Sequence, residues 1–297
     1  MHNLFIIFIE HLKLLLHPVI INAFIFYDGK GNVCHKNWGD DLNYYFLKDI
    51  IKRPIILLNR TSLAFRLNFR NYLIIGSTID MLCRRNTEVW GAGIISENSL
   101  LKEKPSKVYA VRGPLTRQRL IKEGIDCPEI YGDPALLIPY YYRPKVTKKY
   151  QYGFVSHVSN IDELKEMQID GVYLYNYPSI LVIDLNNYRH WHDIIDQICS
   201  CQAILSSSLH GLIIAEAYHI PNVWIEFGNP LIGGHFKFHD FFQSIHQDRD
   251  TPLSIVNKTL STQIINEEIK KWRQGTIDLH PLLRACPFAI RVPKLEG

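Results

Sequence analysis

Short apolar runs alternate with longer amphipathic stretches along most of the chain. Runs at 19–27, 55–58, 72–75, 88–90, 107–111, 152–155, 180–184, 203–205 and 222–226 have the length and side-chain content of buried strands. Stretches at 41–51, 114–123, 188–200, 208–219 and 263–273 carry apolar residues at helical spacing. This rhythm predicts an α/β fold of parallel sheets covered by helices on both faces. The punctuation agrees. Pro114 suits a first helical position, Gly124 a left-handed cap, and Ser206, Ser207 and Ser208 an N-cap before LHGLIIAEAY. Residues 139–149 (PYYYRPKVTKK) have two prolines, four basic residues and no periodicity. They read as a linker between a domain over 18–145 and another over 146–297. Gly228, Gly233 and Gly234 mark a mobile loop.

The length of 297 residues suits two domains, and 47% hydrophobic with 21% charged residues excludes a disordered chain. A net charge of +4 is too weak to argue for nucleic acid, but is compatible with anionic small molecules or a lipid surface. The six cysteines form no C-x-x-C pair, and His235, His239 and His246 lack zinc-site spacing. We therefore expect reduced thiols, no metal and a cytoplasmic protein. The apolar N-terminus is interrupted by Glu10, His11, Lys13, His17 and Pro18, so no uncharged run reaches spanning length. Its charge order is also wrong for a cleaved signal peptide. Residues 1–17 read as an extension with a helix over about 3–16. That helix either packs on the core or rests on a membrane surface.

The polar motifs fall beyond the carboxyl ends of expected strands, where open α/β sheets bind ligands. They are Asn37-Trp38-Gly39-Asp40-Asp41, Gly76-Ser77, Gly91-Ala92-Gly93, Arg112-Gly113-Pro114 and Ser206–His210. Two such edges facing each other would enclose a cleft. Arg112 ends a strand and precedes a helix start, a place suited to an anion. Arg117 lies on the face of that helix. His210, in a first helical turn, could give or take a proton, and the three serines could bind a phosphate. Trp38, Trp90 and Trp191 are of a type more often found in the core than under a sugar, with Trp38, in a polar loop, the best candidate for stacking on one. Asn37 and Asp40 could orient hydroxyls or merely shape their loop, and Asp40-Asp41 could bind a metal or cap a helix. Gly91-x-Gly93 lacks the rest of a dinucleotide fingerprint and reads as a tight turn. There is no G-x-S-x-G elbow.

Taken in order, KNWGDDLN (36–43), IIGS (74–77), VWGAGI (89–94), VRGPLTRQRL (111–120), YGDPALLIP (131–139), SSSLHGLIIAEAYHIPNVWIE (206–226), FKFHDFFQS (236–244) and LLRACPF (282–288) resemble the polysaccharide pyruvyl transferase family. The resemblance runs over about residues 25–290. It implies two Rossmann-like domains facing a cleft, as in GT-B glycosyltransferases. It also implies transfer of pyruvate from phosphoenolpyruvate to two hydroxyls of one sugar, with no other cofactor. The acceptor in relatives is often lipid-linked, which would suit peripheral contact with the inner face of a membrane.

On this reading Arg112 and His210 serve catalysis, with Arg112, Arg117, Ser206, Ser207, Ser208 and Gly211 on the donor. Asn37, Trp38, Asp40, His157 and Lys237 line the acceptor side or the cleft. Some relatives have arginine where this chain has Ser208, so a second cationic anchor is sought in Arg117 or Lys237. A relative that binds without catalysing would be one consequence of that loss. Another enzyme class, a nucleotide-sugar glycosyltransferase of the same fold, would use Glu216 of EAYHIP to hold a ribose.

Overall fold

The apolar runs assemble into two all-parallel five-stranded sheets in the computed structural model, which describes residues 8–9, 11–28, 33–34, 37–228 and 232–291. The first sheet contains β1 (Val19–Ile21), β2 (Ile55–Leu57), β3 (Asn71–Leu73), β4 (Thr87–Trp90) and β5 (Lys107–Ala110), in the order β2-β1-β3-β4-β5. The second contains β6 (Tyr150–Val155), β7 (Ile180–Ile183), β8 (Cys201–Ser206), β9 (Asn222–Phe227) and β10 (Leu253–Ile255), in the order β7-β6-β8-β9-β10. Both orders follow the doubly wound pattern, with a topological switch beside the first strand of each half. This is a Rossmann-like α/β architecture. Six helices build the contact between the halves and the polar edge beside it: α1 (Trp38–Asp41), α2 (Tyr45–Ile50), α3 (Pro114–Lys122), α4 (Trp191–Cys199), α5 (Leu209–Ala217) and α6 (Phe236–Ser244).

The halves share one core, in which Trp38, Phe46 and Leu136 of the first pack with Trp191, Leu212 and Ile213 of the second. Directed bonds fix the contact. Trp38 donates its backbone N–H to the Leu185 carbonyl (3.0 Å) and its indole N–H to the Trp191 carbonyl (2.9 Å). Trp191 in turn donates its indole N–H to Asp49 (3.0 Å), and the Tyr188 hydroxyl bonds Asp41 (2.5 Å). The C-terminal segment, grouped by sequence with the second half, returns to the first. Trp90 donates to the Leu282 carbonyl (2.9 Å), and Phe288 sets its ring edge-on against Tyr72 and Trp90.

Some elements depart from expectation. The strand expected over 19–27 ends at Ile21, where Asn22 turns its amide to the Leu82 carbonyl; Phe26–Tyr27 then pairs antiparallel with Val33–Cys34. The helix expected over 41–51 becomes α1 and α2. Between them Asn43 bonds both the N–H and the carbonyl of Ile75, clamping the chain just past β3 (3.0 Å each). Helix α6 and strand β10 were not expected at all. Residues 3–7 and 10 of the helix expected over about 3–16, Lys36 of the KNWGDDLN motif and part of the loop expected at 228–234 lie outside the described residues; 8–9 and 11–16 are helical.

Candidate functional site

The loops after β1 and β6 and the turn from β8 into α5 converge where the two switch points meet. On the first-half side Asn37 caps α1. Its carbonyl oxygen accepts from Gly39 N–H (3.2 Å), and its amide donates to Asp40 Oδ2 (2.9 Å). The pair Asp40-Asp41 thus opens a capped helix. Burial and the neighbouring Asp41 push the Asp40 carboxyl up to about 7, against the pull of Asn37 and the Lys237 ammonium. Trp38 is not a sugar platform. It is fully buried and committed to the contact between halves.

On the second-half side His210 occupies the first turn of α5. Burial, then Arg112, Lys237 and His157, hold its imidazole down at about 3, so it is neutral at physiological pH. Its Nε2 is buried with no hydrogen-bond partner among the described residues. Buried ring nitrogens are ordinarily satisfied, so an orphan in a polar cleft is a candidate for contact with a reactant. A side chain at Gly39 would overlap this imidazole, so the glycine of the N-x-G-D motif makes room for the histidine. His157 follows β6 and is held down at about 4 by burial and Lys237. Its Nδ1 accepts from Ser159 N–H (3.3 Å).

The serines differ from expectation. The Ser206 hydroxyl bridges the Val155 and Ser208 backbone, and that of Ser207 accepts from His157 N–H (3.0 Å). Both shape the turn instead of pointing at a donor. Gly211 serves packing, because a Cβ there would overlap Ser206 Oγ. Ser208 is the N-cap residue of α5 without a side-chain capping bond.

Arg112 is 0% exposed, so it is no surface arginine. Its Nε donates to Asp240 Oδ2 (2.8 Å), Nη2 to the Ile94 carbonyl (2.8 Å) and Nη1 to the Ser77 hydroxyl. The anion site expected at the start of α3 does exist, and the chain fills it itself. Asp240, on α6 of the other half, also accepts from Thr116 N–H (2.8 Å) and the Thr116 hydroxyl (2.7 Å). Gly93 completes the seat, since a Cβ there would strike the guanidinium, while Gly91 takes the left-handed φ of +92° that the expected tight turn needs. Arg117 stands apart, bonded to the Cys127 carbonyl and paired with Glu129 (3.0 Å each). Lys237 is different. Its ammonium makes no hydrogen bond or ion pair among the described residues, and burial with the nearby Arg112 holds it down at about 8. Asp133 of YGDP, buried and raised to about 6, has one carboxylate oxygen unpartnered.

Asn37, Asp40, His157, Lys237, His210 and the enclosed Arg112 thus form one electrostatic cluster at the expected edge. The family model for polysaccharide pyruvyl transferases matches residues 36–229, a stretch that holds every one of these except Lys237. The chain belongs to the polysaccharide pyruvyl transferase family. It is 27% identical over 240 residues to the succinoglycan biosynthesis protein ExoV of Rhizobium meliloti (strain 1021), covering 74% of this chain and 66% of that one. It is 26% identical over 223 residues to the uncharacterized protein L143 of Acanthamoeba polyphaga mimivirus, 72% of each chain. No solved structure matches significantly. Within the cluster Lys237 is a cation, the Asp40 carboxyl is poised near neutrality, and His210 is a neutral imidazole with an open ring nitrogen.

Two consequences can be measured. Gly39→Ala drives a methyl into His210 and should lower turnover at least tenfold, with about 1–3 kcal/mol of lost stability from overpacking; unchanged turnover would detach His210 from this contact. The second concerns pH. Between about pH 4.5 and 6 the folded chain keeps protons on Asp40 and Asp133 that the unfolded chain has shed, so their contribution falls as pH rises. In the same window the unfolded chain holds protons on His157 and His210 that the folded chain lacks, so theirs rises. The slopes of these two pairs oppose and largely cancel. In Asp40→Asn, denaturation at a series of pH values should show stability rising with pH by about 1 kcal/mol per unit more than in the parent.

Proposed function

We propose that this chain moves pyruvate from phosphoenolpyruvate onto two hydroxyls of one sugar in a polysaccharide precursor, closing a cyclic ketal and releasing phosphate. The reading extends to a GT-B-like pair of domains meeting near residues 139–149. We place the reaction on the cytoplasmic side, with a saccharide acceptor that is lipid-linked and no cofactor besides the donor. The observation that carries it is the orphan Nε2 of neutral His210, held under the fields of Lys237 and Arg112 in a chain of this family.

In this scheme the donor phosphate lies against Lys237 and the free N–H groups at the start of α5. A proton passes to the methylene carbon, and the first sugar oxygen bonds to the adjacent carbon, now cationic. The bond from that carbon to the phosphate oxygen then breaks, and the second hydroxyl closes the ring. Of the two hydroxyl protons, one ends on the new methyl group and the other on phosphate. His210 accepts a hydroxyl proton through Nε2, and Asp40, poised near neutrality, exchanges the other. Arg112, enclosed by Asp240, acts by its field and by fixing the two halves.

The nucleotide-sugar alternative is disfavoured by one feature. Glu216 already accepts from Asn222 (2.8 Å), Gln247 (3.0 Å), Arg249 (2.8 Å), Trp272 (2.8 Å) and the N–H of Gly275 (3.1 Å), so it pins the segment after α6 and is not open to a ribose. Thermal unfolding distinguishes the readings, because a ligand of the native state raises the midpoint. Phosphoenolpyruvate should raise it, and Lys237→Met should remove most of the shift. A shift with nucleotide sugars and none with phosphoenolpyruvate would overturn the proposal.

A further inference from the structure

On the outer face of the first half, the described part of the N-terminal segment lies against the helix Ser62–Arg66. His11 Nε2 is 3.3 Å from the Ser62 hydroxyl and 3.4 Å from Leu63 N, and Leu14 packs on Ile20, Ile56 and Ala64. The buried side of this pair is apolar, as it should be, but the outer side is apolar too. Phe8, Leu12, Leu15 (77% exposed), Leu16, Leu63 and Leu67 (61% exposed) all face solvent. Long exposed leucines gathered on adjoining segments form a patch of the kind that meets a partner or a membrane.

Charge decides between these. Residues 51–79 contain Lys52, Arg53, Arg60, Arg66 and Arg70 and no Asp or Glu. These five positive charges exceed the +4 of the whole chain, so the remainder of the molecule is close to neutral. Lys52, Arg53, Arg66 and Arg70 are exposed. Arg53 bonds the His17 carbonyl at the end of the N-terminal segment, and Arg70 pairs with Glu88 (3.2 Å). An apolar patch that holds Leu63 and Leu67 of this basic stretch and is bordered by it complements a surface that is apolar beneath an anionic layer. Among the described residues no helix is long and apolar enough to cross a membrane.

We propose that this face docks the protein on a bilayer containing anionic lipid, with Leu15, Leu16, Leu63 and Leu67 entering the headgroup region and Lys52 and Arg66 meeting lipid phosphates. The inference is independent of the reaction proposed above, since none of its residues belongs to the cleft.

The test is co-sedimentation of the full chain with two kinds of vesicle, phosphatidylcholine alone and phosphatidylcholine with roughly a quarter phosphatidylglycerol. The chain should bind the anionic vesicles far more strongly, and added salt should release it. Leu15→Ser with Leu67→Ser should weaken binding to both kinds. Lys52→Glu with Arg66→Glu should weaken binding to anionic vesicles at least about tenfold. Circular dichroism should show both variant pairs folded. Failure of the parent chain to sediment with either vesicle would overturn the proposal. So would binding that neither pair alters, or a dimer in gel filtration that the leucine variants dissolve while vesicles stay unbound.

Discussion

Arg112→Ala should destabilise the protein by about 3–5 kcal/mol and abolish turnover, because it leaves the Asp240 carboxylate buried and uncompensated between the two halves. Thr116 would still donate two hydrogen bonds to that carboxylate, but no positive charge would face it. A buried pair removed as a unit behaves differently from one that is broken. Combining Arg112→Met with Asp240→Asn should therefore restore most of the stability, measured by denaturant unfolding. Turnover should not return, since the double variant also loses the guanidinium charge whose field, after burial, acts on His210 and reaches Lys237. Full recovery of activity along with stability would reduce Arg112 to a strut.

His210 should show the opposite balance. His210→Leu replaces a buried ring whose Nε2 has no partner by an apolar side chain of similar bulk. Stability should be unchanged or slightly higher, because an unsatisfied polar atom is removed. Turnover should fall by about 10²–10⁴-fold, the usual loss with a general acid or base. A group kept at the expense of stability is characteristic of a working site. A variant that is both destabilised and active would mark His210 as a packing residue.

Much of this architecture is legible in the sequence because parallel strands buried on both faces leave continuous apolar runs, as at Ile55–Leu57 and Ile180–Ile183. The strand β10 escapes notice because its three residues alternate between exposed and buried. Helix α6 hides because FKFHDFFQS is rich in aromatic residues, which are poor helix formers, and it lacks a side-chain cap. With it goes Asp240, the residue that reinterprets Arg112. The two are 128 positions apart, and no local spacing can announce a pair of that kind. Trp38 shows the converse: a tryptophan in a polar motif looks available, yet the second half covers it completely. Asn37, Asp40, His157 and His210 were legible because loops after parallel strands must converge on one edge. Lys237 was expected in the cleft from the family resemblance alone, and α6, which no periodicity announced, is the element that carries it there.

The proposed chemistry is tested most directly by incubating the purified chain with phosphoenolpyruvate and a panel of lipid-linked and nitrophenyl glycosides, following free phosphate and acceptor mass together. The expected result is phosphate release that depends on one acceptor, matched mole for mole by a gain of one carboxyethylidene group and absent in His210→Leu. Acceptor glycosylation from a nucleotide sugar, with phosphoenolpyruvate left intact across the panel, would contradict it.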